Sequence, residues 1–168
     1  MKVSTSIDID TPAERVWEII GPGFGQVGEW ASAVPESRAT DAPGPHGAVC
    51  SGRVCTVATP GFDELTEELT EYDPSTRRLT YRAVHGMPAF VTDARNTWQA
   101  LPRPGGGTTF TMQADVQVAG IGRLVAPLLR VQLGRIGRRT GRDLKTYAET
   151  GTVSRAKAAQ AHPAARTP

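Results

Sequence analysis

The feature that most constrains this chain is a change of hydrophobic period near residue 120. Upstream lie short apolar or alternating runs at 34–39, 48–58, 62–72, 77–85, 90–101 and 108–118. They are separated by PGPHG, TPG, DPST, GMP and PRPGGG, residues that end or reverse a chain. Downstream, in IGRLVAPLLRVQLGRIGRRTGRDLKTYAE, apolar residues recur at 121, 124, 125, 128, 129, 133, 136, 144 and 147. That is the stripe of one long amphipathic helix over 121–149. Tight turns between successive strands dictate an antiparallel sheet, and one sheet face needs cover. The helix carries the matching stripe, so the expected class is an α+β layer structure.

The beginning of the chain completes the pattern. VSTSIDI (3–9) alternates and reads as a first strand. Thr11-Pro12-Ala13-Glu14 follows, with Thr11 as N-cap, Pro12 at N1 and Glu14 closing a capping box. Val16, Trp17, Ile19 and Ile20 form the apolar side of that helix, Gly21-Pro22-Gly23 ends it, and FGQVGEW supplies a short second helical piece. Pro127 marks a start or kink in the long helix. Gly134, Gly137 and Gly141 weaken that helix by roughly 1 kcal/mol each relative to alanine, and let a sheet or ligand come close. The tail 151–168 has little to bury and is expected to be disordered, which leaves 1–150 as one domain.

Several function classes are set aside. Gly23-Phe24-Gly25-Gln26-Val27-Gly28 spells G-x-G-x-x-G, but a helix precedes it where a dinucleotide site needs a strand. His46, His85 and His162 are scattered, so no metal site is expected. There is no G-x-S-x-G elbow. Cys50 and Cys55 are an odd number apart, on opposite faces of one strand, so they should not bond each other. With no export signal and unpaired thiols, a cytoplasmic protein is expected. Seven basic residues lie between 123 and 145, but a net charge of +2 and the absence of interleaved aromatics favour a solvated helix face over a surface for anionic lipid or nucleic acid. No apolar run is long enough for membrane insertion.

The stretch FDELTEELTEYDP (62–74) fits either helical spacing or a strand with a carboxylate on each side. As a strand paired about residue 60, it places Glu67 opposite Arg53 and Leu65 opposite Cys55, with Leu69 on the same face. A buried carboxylate needs such a partner. The hairpin through PRPGGG, centred near 104, sets Trp98 against Phe110, Asn96 against Met112 and Ala94 against Ala114, a shared buried face with one amide in it. Tyr81 is expected inward with Leu79 and Ala83. His85-Gly86-Met87-Pro88 forms a loop at one end of the sheet.

Taken in order, VSTSIDIDTPAERVWEII, Trp30 after a glycine-containing loop, SGRVCTV, LTEELTEYDPSTRRLTY, GMP and the helix ending in LKTYAETG resemble the START-like or Bet v 1-like (SRPBCC) superfamily, in its polyketide cyclase and lipid-transport group. The resemblance implies a helix-grip fold. A curved seven-stranded antiparallel sheet would wrap the C-terminal helix, with two short N-terminal helices and a ligand cavity between sheet and helix. It settles 62–72 as a strand and turns Glu67 inward. It implies a hydrophobic or polyketide-like ligand, held by a carrier or cyclised and dehydrated by an enzyme that needs no cofactor. Glu67 and Arg53 are then the candidate catalytic pair, and Tyr81, Asn96, Trp98, His85, Leu69 and Met112 the candidate ligand wall. Monomer and homodimer both remain open.

Overall fold

A computed structural model describes residues 1–59 and 62–161. The elements run β1 (Lys2–Ile9), α1 (Ala13–Ile20), α2 (Val27–Trp30), β2 (Ser37–Ala39), β3 (Gly52–Thr59), β4 (Phe62–Asp73), β5 (Arg78–His85), β6 (Val91–Pro102), β7 (Thr108–Val118), α3 (Gly122–Thr150) and α4 (Arg155–Ala161). The described residues form one seven-stranded antiparallel curved sheet, ordered β1-β7-β6-β5-β4-β3-β2. It is the helix-grip arrangement expected of the chain. Of the turn Thr59-Pro60-Gly61, residues 60–61 lie outside the described residues.

The long helix lies against β1 because its inner face is made of glycine. A Cβ at Gly137 would stand 2.8 Å from Thr5 Oγ1, and one at Gly141 would stand 3.2 Å from Ile7 Cγ2. Pro127 falls inside α3 without ending it. On the other side of the sheet's grip, Val16 and Ile20 of α1 join Phe24, Val27, Leu79, Phe110 and Leu144 in one continuous core.

Four local expectations are corrected. The capping box does not form: α1 takes Pro12 as its N-cap with no side-chain bond. Thr11 is held one step too early, its carbonyl accepting Thr108 Oγ1 at 2.6 Å, while Glu14 turns out to Arg77. The β6–β7 hairpin is centred one residue later than expected, because its loop is Arg103–Gly107, closed by the Arg103 N–H on the Gly107 carbonyl, with Gly105 and Gly106 at positive φ. Trp98 therefore faces Met112, Asn96 faces Ala114 and Ala94 faces Val116. The slip is two residues, an even number, so each side chain keeps its face. Strand β2 is only three residues long and β3 begins at Gly52. Finally, the expected disorder of the tail fails for 155–161. These residues form α4, whose Lys157 Nζ donates to the carbonyls of Val34 and Pro35 and whose Gln160 Nε2 donates to that of Ser32.

Candidate ligand site between sheet and helix

The hairpin of β3 and β4 holds the register read from the sequence, with Arg53 facing Glu67 and Cys55 facing Leu65. Both members of the charged pair are buried, Arg53 at 2% and Glu67 at 8% exposure. Arg53 Nε donates to Glu67 Oε2 at 2.6 Å, and its Nη1 donates to the Phe24 carbonyl at 3.0 Å. The guanidinium also lies 4.0 Å from the Phe24 ring centre, 4.8 Å from Tyr81 and 5.2 Å from Trp98. A cation desolvated among three aromatic faces is stabilised by their quadrupoles as well as by its carboxylate.

This pairing governs the nearby titrations. Burial is the largest single influence on the Arg53 guanidinium and favours loss of its proton, but the Glu67 charge and hydrogen bond, together with the neighbouring Tyr81 and Cys55, outweigh it and hold the group even more firmly protonated. Burial pushes the Cys55 thiol up to about 11, against the opposing pull of Arg53. Burial, reinforced by the Glu67 charge, raises the Tyr81 phenol far above its ordinary value, so it stands as a neutral group. Cys50 and Cys55 are both buried and free.

A pocket of about 470 Å³ opens between the sheet and α3. Its floor contains Arg53, Cys55, Glu67, Tyr81, Asn96, Trp98 and Met112. Val27, Ala31 and Val34 form one wall, and Leu129, Leu133 and Ile136 of α3 form the roof. Two polar atoms of lining residues, Asn96 Oδ1 and Trp98 Nε1, are buried without a hydrogen-bond partner among the described residues. Glu67 spends only Oε2 on the recorded protein bonds, from Arg53 and from Cys55 Sγ at 3.9 Å. Such a site offers an acceptor, a donor and a carboxylate oxygen in a mostly apolar surround, with Gln132, Arg135 and Arg139 of α3 on its helix side.

Of the residues singled out from the sequence, six therefore share the pocket lining: Glu67, Arg53, Tyr81, Asn96, Trp98 and Met112. Leu69 and His85 are not brought to it. Leu69 points inward but is packed in the solid core beside Tyr72. His85 is exposed, because a bulge sets Thr66 opposite His85 and Glu67 opposite Ala83, so that Val84 is the extra residue and the inward alternation of β5 breaks before His85. Met87 and Pro88 of the same loop do reach the pocket. Sequence reasoning missed Phe24, whose ring and carbonyl hold Arg53. It sits inside the glycine motif set aside for nucleotides, and an aromatic side chain in a glycine-rich turn was the available signal. It also missed Trp30, whose ring centre lies 6.2 Å from that of Trp98. Among the described residues no cluster of side chains could hold a metal ion.

A curved sheet gripping one helix over a partly polar pocket defines the START-like class. The chain belongs to the polyketide cyclase / dehydrase and lipid transport family, whose model matches residues 1–149. In fold it is similar to a START superfamily protein from Mycobacterium smegmatis, at TM-score 0.72 and 17% identity, over 90% of this chain and 99% of that one. It is also similar to truncated norcoclaurine synthase from Thalictrum flavum, at TM-score 0.68 and 14% identity, covering 89% and 94%. The protein XoxI from Bacillus cereus aligns at TM-score 0.68 and 21% identity, covering 86% and 93%. These are likenesses of fold. No curated protein matches the sequence.

Proposed function

We propose that this protein binds a mostly apolar, oxygen-bearing small molecule of polyketide-like character in the pocket above Glu67, and that it promotes cyclisation of that molecule with loss of water. The observation that carries the reading is the pairing of an apolar pocket with unspent polar atoms on its floor. Asn96 Oδ1 asks for a hydroxyl donor, Trp98 Nε1 for a carbonyl or ether acceptor, and Glu67 keeps one oxygen free of recorded protein bonds. Family membership agrees with this ligand class.

The chemistry suits such a molecule. Glu67 takes the proton from a carbon flanked by carbonyls, and the electron pair left behind attacks a second carbonyl carbon of the same chain. The new alkoxide recovers that proton. A second proton then leaves the attacking carbon, and the hydroxyl departs, protonated, as water. Pocket walls that fold the chain contribute through proximity, and Arg53 stabilises the developing oxyanion. The test is incubation with a synthetic poly-β-ketone and detection of the dehydrated ring by mass spectrometry. Glu67→Gln should lower the rate roughly a hundredfold with the fold intact, the usual weight of one general base. Turnover unchanged in Glu67→Gln removes the catalytic assignment.

A second reading is a carrier that binds without converting. It is favoured by the way Arg53 and Glu67 satisfy each other, with the guanidinium fixed further by the Phe24 carbonyl. It predicts that molecules co-purifying with the protein are recovered unchanged after prolonged incubation.

A further inference from the structure

One stripe of α3 faces outward, with only its Arg135 reaching the pocket rim, and changes chemistry halfway along its length. Starting from the N-cap residue, it runs Ile121, Leu124, Leu128, Val131, Arg135, Arg138 and Arg142, at alternating steps of three and four. The first four are exposed apolar side chains, with Leu124 81% and Leu128 66% accessible. The last three are exposed arginines. Arg123 and Arg130 flank the apolar end. The ion pairs recorded for this helix among the described residues both belong to Lys145, near its far end. Beside the apolar end stands the β5–β6 loop, where Phe90 packs against Gly122 and the partly exposed Met87 lines the pocket. Gln132, one turn on from Leu128, lines it too.

We infer that this stripe docks the protein on an anionic lipid bilayer, with the Ile121–Val131 end entering the interface and the Arg135–Arg142 end resting on the phosphates. Exposed aliphatic side chains leading a cationic segment match the two layers such a surface presents, hydrocarbon beneath and negative charge above. A second copy of the chain fits poorly. Parallel stripes would oppose arginine to arginine, and antiparallel stripes would bury arginines against leucines. No helix of the described residues is long and apolar enough to cross a membrane, so the contact lies on the surface. Docking this way brings the pocket rim at Met87 and Gln132 to the lipid. The inference does not depend on what the pocket holds, because Leu124, Leu128, Arg138 and Arg142 do not line that pocket.

The experiment is co-sedimentation of the full chain with phosphatidylcholine vesicles, with and without abundant phosphatidylglycerol. Sedimentation is expected with the anionic vesicles only, and is expected to fall as salt is raised. Leu124→Asp/Leu128→Asp should abolish it. Arg138→Gln and Arg142→Gln should each weaken partitioning roughly fivefold, the weight of one basic residue at an anionic surface. Unaltered melting temperature in these surface variants secures the fold, and Nile red uptake without vesicles follows the pocket separately. No sedimentation of the wild type at low salt overturns the inference. So does sedimentation indifferent to the leucine substitutions. A concentration-dependent dimer that Leu124→Asp dissolves would assign the stripe to a second copy and overturn it as well.

Discussion

At the scale of single residues, the Arg53–Glu67 pair controls the interior. Each charge is tolerable inside because the other is 2.6 Å away and the rings of Phe24, Tyr81 and Trp98 surround the cation. Removing one partner strands the other. Arg53→Leu should lower unfolding stability by about 3–5 kcal/mol, whereas Arg53→Leu/Glu67→Leu should recover most of that loss. Urea denaturation of the three proteins decides it, and a double variant no more stable than the single one contradicts the account. The partners were legible in the hairpin spacing, while the strand itself and the inward turn of Glu67 came from the family resemblance. The cage around the pair was not legible. Phe24 arrives from a turn 29 residues before Arg53, and no periodic pattern links a turn to a strand at that distance.

Among the elements, α3 owes its position to what it lacks. Gly137 and Gly141 remove the side chains that would hold the helix off β1, at the expense of helix propensity. Gly137→Leu should destabilise the fold by about 1–3 kcal/mol through overpacking on Thr5 and its neighbours. Gly134→Ala should be neutral or stabilising by up to about 1 kcal/mol, because the new methyl would meet only the mobile end of Arg138 and, at 3.8 Å, Val3. Thermal melts of both variants separate close approach from propensity, and equal losses would refute the distinction. Strand positions followed from alternation and turn chemistry. Bulges did not. The shift between Leu69 and Glu71 brings Tyr72 inward beside Leu69, although simple alternation assigns those two to opposite faces. The bulge before His85 does the reverse. A bulge is set by pairing across strands, so one strand's own sequence does not announce it.

For the molecule as a whole, the segment after α3 closes the structure back on itself. Lys157 and Gln160 bind the carbonyls of Ser32, Val34 and Pro35, in the loop that supplies Ala31, Ala33 and Val34 to the pocket wall. Asp143 and Arg139 of α3 hold Ser32 from the other side. Lys157→Ala should speed amide hydrogen exchange across residues 32–36 roughly tenfold, the weight of a charge-assisted hydrogen bond, while the sheet keeps its protection. Unchanged exchange there would mean that the loop stands without α4. This closure escaped sequence reading because RAKAAQA has no apolar stripe. Its hold on the body is made by two polar side-chain tips, and polar tips leave no pattern in hydropathy.

The edge-on contact of Trp98 with Tyr81, inside the pocket and 5.5 Å between ring centres, has a practical side. Of the chain's three indoles, Trp98 is the one that lines the pocket. If the pocket fills as proposed, titration with a guest should quench or shift the ultraviolet emission of Trp98, a readout that needs no dye or label.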